Sequence, residues 1–331
     1  MELSGSNRFL AILSESIKLL PKNGKLMASV AILSTFLNAV FLLWFAYSVQ
    51  SLVRGMAAAT RKSLIPEPNS FHSMSHGSFT PRTGFNPVQI THLLHHLRED
   101  AAVLFAVEVA FVLAFSTVSF FSTISTILIS AVSYNGKNSS LKELFSMMWR
   151  SWTRPFITTL YVSGLSTAYF VAVFLFAAPL WIYPDLLTFW LGTLIAIPSF
   201  TLYFYLQAPW ILSVVVAVVE ESCYGLEALG RAAALVKGKR LHGFLLNMIY
   251  GVVVSIMFQY YRMKTGSKGL ETMHFMLVMC FSSLVKIFLF VAYTVFYFHC
   301  KMHHGEEIEL HSTGGLRYTK LSTAVLPHDM P

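Results

Sequence analysis

Six stretches of this chain run long and apolar enough to cross a lipid bilayer, and before every second one lies a short segment whose apolar positions recur at the helical period. A helix rises about 1.5 Å per residue, so a hydrocarbon core of about 30 Å takes about 20 apolar residues. The stretches are 26–53, 101–132, 156–184, 186–219, 241–261 and 272–300, with Glu108 the charged interruption in the second and Lys286 that in the sixth. Several exceed the minimum, which predicts tilt or extension beyond the bilayer. Helix is the only conformation that fits, since an open strand leaves backbone groups unpaired in lipid. Asp185 separates the third and fourth stretches among Trp181, Tyr183 and Trp190, the aromatic residues of a membrane–water boundary. Pro198 and Pro209 predict that the fourth kinks or ends early.

The segment 140–154 places Leu141, Leu144, Phe145, Met148, Trp149 and Trp152 on one helical face, with Lys142, Glu143, Arg150 and Arg154 off it. Ser140 and Glu143 form a capping-box pattern at its start. Segment 7–20 repeats the spacing with Phe9, Ile12, Leu13, Ile17 and Leu20, Ser16 being the lapse. Segment 224–237 repeats it with Gly225, Ala228, Leu229, Ala232, Ala233 and Val236. Each ends in a breaker with basic residues, as in Pro21-Lys22-Asn23-Gly24-Lys25. These segments read as lipid-facing interfacial helices with a basic wet face. The expected fold is therefore all-α: a polytopic membrane helical bundle of six transmembrane helices, built as three repeats of interfacial amphipathic helix plus transmembrane hairpin. The repeats are 1–132, 133–219 and 220–300. The loop 54–100 reads as a long non-cytosolic insertion in the first, and 301–331 as a disordered cytosolic tail.

Composition agrees. Of 331 residues, 55% are hydrophobic and only 12% charged, too few to cover a soluble surface. The net charge of +8 is scattered between apolar runs with no concentrated face, so no nucleic acid is expected. It does orient the chain. The N-terminal segment, the loops 133–155 and 220–240 and the tail carry the larger share of Lys and Arg, which predicts that both termini are cytosolic. The sequon Asn138-Ser139-Ser140 then falls on the side where glycosylation does not occur, and a glycan there would invert the topology. The apolar stretch after Lys25 is too long for a signal-peptide core and reads as a retained first span. Three cysteines make no disulfide framework.

The opening Phe9–Lys25, the segment Ser140–Arg154, and above all Gly225-Leu226-Glu227-Ala228-Leu229-Gly230-Arg231 leading to Leu235-Val236-Lys237-Gly238 carry a resemblance. The chain resembles, over nearly its whole length, a plant family of six-span membrane proteins with no established activity, some labelled as binders of polyadenylate-binding protein. Its repeat unit is more distantly similar to bacterial membrane domains that adjoin glycerophosphodiester phosphodiesterases. The resemblance implies the six-span fold and supplies no catalytic residues.

Charge inside a bilayer is costly, so Glu108 and Lys286 are the candidate intramembrane functional residues, as a pair or along a polar pathway. Their depths along the spans differ by about 10 Å at the helical rise, and Glu108 also fits the outer headgroup level. Asn38, Gln207 and Asn247 read as interhelical hydrogen-bonding groups. His92, His95 and His96 share a face, and His299, Cys300, His303 and His304 close the last span, but neither set makes a convincing metal site. Cys223 and Cys300 lie at predicted cytosolic span ends and are candidates for S-palmitoylation. Tyr318-Thr319-Lys320-Leu321 resembles a tyrosine-based sorting signal, with Tyr318 and Leu321 its key positions, for a cytosolic adaptor. No glycine loop for nucleotides, no HExxH and no GxSxG is present, so no cofactor, metal or enzymatic activity is expected. The reading is a non-enzymatic protein of membrane organisation or trafficking in the endomembrane system or plasma membrane, with membrane lipids as partners. The alternatives are a small-solute or ion transporter using Glu108 and Lys286 and, behind it, a lipid-modifying enzyme.

Overall fold

The computed structural model describes residues 3–64, 87–136, 140–182, 186–264 and 271–304. Among these the chain is all-α. The elements are α1 Leu3–Lys22, α2 Gly24–Leu64, α3 Pro87–Tyr134, α4 Leu141–Ser151, α5 Thr153–Ile182, α6 Leu186–Val219, α7 Gly225–Val236, α8 Arg240–Lys264 and α9 Glu271–His303. The order short, long, long occurs three times. Six of these helices are long and apolar enough to span a bilayer, with mean hydropathies from 1.8 to 2.3 over their best windows, and the chain is an integral membrane protein.

Two expectations about helix ends are corrected. Much of the predicted loop 54–100 is helix, because α2 continues through Arg54, Arg61 and Lys62 to Leu64, and α3 already begins at Pro87. Hydrophobicity bounds a span but not a helix. The Ala, Arg, Met and Lys residues beyond Val53 are strong helix formers and outnumber Gly55, Thr60 and Ser63, which are not. Residues 65–86 lie outside the described residues. Nor is α6 ended by its prolines: it is one helix through Pro198 and Pro209. Neighbouring helices bond to the α6 backbone near both prolines. The Tyr169 hydroxyl donates to the Ser199 carbonyl, and the Asn247 side-chain amide donates to the Phe204 carbonyl at 3.1 Å.

The chain forms two compact units, one of 1–35 with 120–331 and one of 36–119. In the first, burial concentrates at the C-terminal ends of α3, α6 and α9. Ile124 and Ile127, Leu212 to Ala217, and Val291 to Phe298 make its core. By contrast, no residue in the most apolar stretch of α5 is buried, as suits a lipid-facing helix. Small residues set the approach of α6 and α8. A Cβ on Gly243 would lie 2.8 Å from the Cβ of Ala208, and one on Gly251 would lie 2.7 Å from the Phe204 ring. Asn247 lies between these glycines, one helical turn from each, and its Oδ1 accepts the Tyr293 hydroxyl at 2.8 Å, so one polar side chain ties α8 to both α6 and α9.

The short helices dock on this core. Ile12, Ser16 and Leu19 of α1 are buried, and α1 packs on α9. Leu144 and Met148 of α4 are buried, with the Ser125 hydroxyl donating to the Met148 sulfur at 3.3 Å. The lipid-facing stripe expected of the third segment is instead an inner face. Gly225, Ala228, Ala232, Leu235 and Val236 are buried where α7 meets α5, α6 and α9. Residues this small add little to lipid binding but let backbones approach closely. Gly225 fixes the entry: its φ of 62° suits glycine, and its N–H donates to the Thr158 hydroxyl at 2.8 Å.

In the second unit Phe45 and Phe111 stack at 4.3 Å between ring centroids, and Leu42 and Asn38 are buried.

Candidate functional site

The richest polar region lies at the end of the first unit where α3, α6 and α9 finish and α1 and α7 lie across them. Glu220, just past α6, is almost wholly buried. Its Oε1 accepts the Tyr297 hydroxyl at 2.6 Å, and its Oε2 lies 3.7 Å from Nε of Arg231 on α7. One carboxylate therefore links α6, α7 and α9. Lys301 is also buried, its Nζ 5.9 Å from the centre of the Tyr297 ring. Lys239, between α7 and α8, donates to the His299 carbonyl at 3.2 Å. The His299 ring meets the Glu15 carboxylate at 2.6 Å, tying α1 to α9.

Beside the Glu15–His299 contact an open recess of about 660 Å³ is lined by Ala11, Ser14, Glu15, Lys18, Leu19, Lys22 and Tyr134. Its floor is held firmly. The Tyr134 ring stacks on Phe298 at 4.4 Å, only 6° from parallel, and the Asn23 amide donates to the Ser133 hydroxyl at 2.7 Å. A second, apolar groove of about 480 Å³ runs between α6 and α8, where Phe204 meets Gly251 and Ile256.

Helix α4 presents a different surface. Its buried pair Leu144 and Met148 leaves Leu141, Phe145 and Trp149 outside, 56%, 61% and 65% exposed at a spacing of four. Phe145 and Trp149 stack at 6.3 Å, and Lys142 and Arg150 are exposed beside them. The Glu143 carboxylate accepts the Ser140 N–H at 3.2 Å, the return arm of the predicted capping box.

The sequence-predicted residues fall as follows. Lys286 is half-buried on α9, its Nζ 5.9 Å from the centre of the Phe290 ring. Glu108 is exposed on α3, in the second unit, whereas Lys286 belongs to the first. Cys300 is wholly buried, and Cys223 is partly exposed between α6 and α7. Burial pushes the Cys223 thiol pKa up and the Ser222 hydrogen bond lowers it. The Glu220 and Glu227 carboxylates raise it further, so the neutral thiol is favoured. Tyr318 and Leu321 lie outside the described residues. Among the described residues no cluster of three or more His, Cys, Asp or Glu side chains is placed to hold a metal.

Sequence reasoning missed the centre of this site. Glu220 follows an unbroken apolar run and looks like the ordinary charge that ends a span. Its signal was positional: Glu220 follows the last residue of α6 directly.

The family described as "Domain of unknown function (DUF8558)" matches residues 9–314, so the chain belongs to that family. No curated protein matches the chain, and no solved structure does.

Proposed function

We propose that this member of the family is a non-enzymatic membrane protein that organises the leaflet against which its short helices lie, with both termini in the cytosol and a place in the endomembrane system or plasma membrane. The observation that carries the reading is the ledge of α4. An apolar ridge of Leu141, Phe145 and Trp149, flanked by Lys142 and Arg150, has the form of a helix that wedges between headgroups and attracts anionic lipid. The partners are then membrane lipids. Lys18, Lys22, Lys239 and Lys301 lie around the C-terminal ends of α3 and α9, which supports a cytosolic assignment for that face. The test is reconstitution of the full chain into vesicles containing anionic lipid, with size and curvature read by electron cryomicroscopy. The wild-type chain is expected to narrow or tubulate the vesicles, and Phe145→Ser/Trp149→Ser to lose that effect while still inserting. Equal vesicle shapes with the two proteins would overturn the reading.

A second reading is favoured by the half-buried Lys286 on an otherwise apolar stretch of α9. Under it the chain moves a small solute or ion, and Lys286→Met together with Glu108→Gln abolishes flux in the same vesicles without altering insertion.

A further inference from the structure

We propose that the recess beside α1 is a binding site for a membrane lipid whose headgroup is a phosphate monoester. The helix divides its surface three ways. Phe9, Ile12, Ser16 and Leu19 turn to the core, Leu10 and Ile17 form an apolar strip 58% and 57% exposed, and Ser14, Lys18 and Lys22 line the recess. Lys18 and Lys22 are one helical turn apart, about 6 Å along the axis, a spacing at which two flexible ammonium groups converge on one phosphate. Both are exposed and neither makes an ion pair among the described residues, so both charges are available to a ligand. The carboxylate in the recess has a partner on α9, since Glu15 meets the His299 ring at 2.6 Å. Tyr134 and Ser14, which carry hydroxyls, also line the recess.

A phosphate monoester bears up to two negative charges and three free oxygens, whereas a diester headgroup presents one charge and two. Two lysines with hydroxyls around them suit the former. The adjoining strip of Leu10 and Ile17 accounts for the choice of a lipid over a free phosphate, since it offers acyl chains a surface beside the headgroup. Basic pockets at the membrane face of helical bundles bind acidic headgroups by this combination. The inference rests on the reading that this end of the first unit lies at a leaflet surface, and it names the lipid that surface selects.

The test is native mass spectrometry of the full chain in detergent, titrated with phosphatidic acid, phosphatidylserine or phosphatidylcholine, and separately with inorganic phosphate. Phosphatidic acid is expected to bind most tightly. Lys18→Gln/Lys22→Gln should weaken it about thirtyfold, the scale expected for two basic residues at a membrane surface. Arg54→Gln/Arg98→Gln, which removes the same formal charge from the second unit, should leave it unchanged. Retention of the wild-type unfolding temperature by both variants shows that the loss is one of binding. Three results would overturn the proposal: equal affinity for all three lipids, equal weakening in the two double variants, or full displacement of the lipid by inorganic phosphate. Vesicle reshaping is scored separately. Selective binding that persists without reshaping would sink the organising role alone, and reshaping without selective binding would sink this site alone.

Discussion

The Tyr297 hydroxyl and the Glu220 carboxylate meet at 2.6 Å with both side chains almost wholly buried, joining the end of α9 to the end of α6. A buried carboxylate is costly unless its oxygens are occupied. Here one oxygen takes the phenol and the other faces Arg231 of α7 at 3.7 Å, so the docking of a short helix depends on a charge held by two spans.

Tyr297→Phe should therefore destabilise the chain by about 1.5–3 kcal/mol, the worth of a hydrogen bond to a charged group. The ring, and with it the contact to Phe298 at 5.2 Å, is kept. The measurement is the thermal unfolding midpoint in detergent. The same substitution in a Glu220→Gln background should cost less, because the acceptor is then neutral. Equal costs in both backgrounds would mean that the two groups are not coupled.

The two glycines of α8 make a ranked prediction. Gly243→Ala would bring its Cβ to 2.8 Å from the Cβ of Ala208, an atom fixed to the α6 backbone, so the helices themselves must separate. Gly251→Ala meets the far end of the Phe204 ring at 2.7 Å, and a side chain beside an open groove has room to turn away. Overpacking of the first kind costs about 1–3 kcal/mol, and Gly251→Ala should cost clearly less. Unfolding midpoints of the two variants, measured side by side, decide the order. If Gly251→Ala proves the more damaging, the Phe204 ring is more rigidly held than its surroundings imply.

The spans were legible because lipid imposes a length and a composition on any helix that crosses it, and runs such as Phe156 to Ile182 carry no charge to blur them. Helix ends were not legible. Arg54 ends the hydrophobic stretch of α2 while favouring the helix, and the two criteria part company there. The stripe Gly225, Ala228, Ala232 was visible as a period, but a face of small residues suits lipid and close packing alike, and only its neighbours α5 and α6 decide between them. Glu220 was hidden for a related reason. A charge at the end of an apolar run is ordinary until Tyr297, 77 residues on, is seen to bury it.

Cys223 links this cluster to chemistry at the surface. Its sulfur lies 4.0 Å from Glu227 Oε1, and burial with the two nearby carboxylates raises its pKa above the ordinary thiol value. A raised pKa lowers the thiolate fraction at any pH below it, and the thiolate is the nucleophile. Maleimide labelling of Cys223 at neutral pH should thus be slower than that of a free thiol. Its rate should climb about tenfold per pH unit and continue rising after the free thiol has levelled off. Glu227→Gln removes one of the raising charges and should speed labelling at neutral pH several-fold. Peptide-level mass spectrometry of the intact chain, quenched over time, reads each cysteine separately, and the wholly buried Cys300 should lag behind Cys223 throughout. A Cys223 rate that plateaus with the free thiol, indifferent to Glu227→Gln, would show that the carboxylates do not govern it. Any acyl-transfer at this position would then proceed without the electrostatic brake that the fold places beside it.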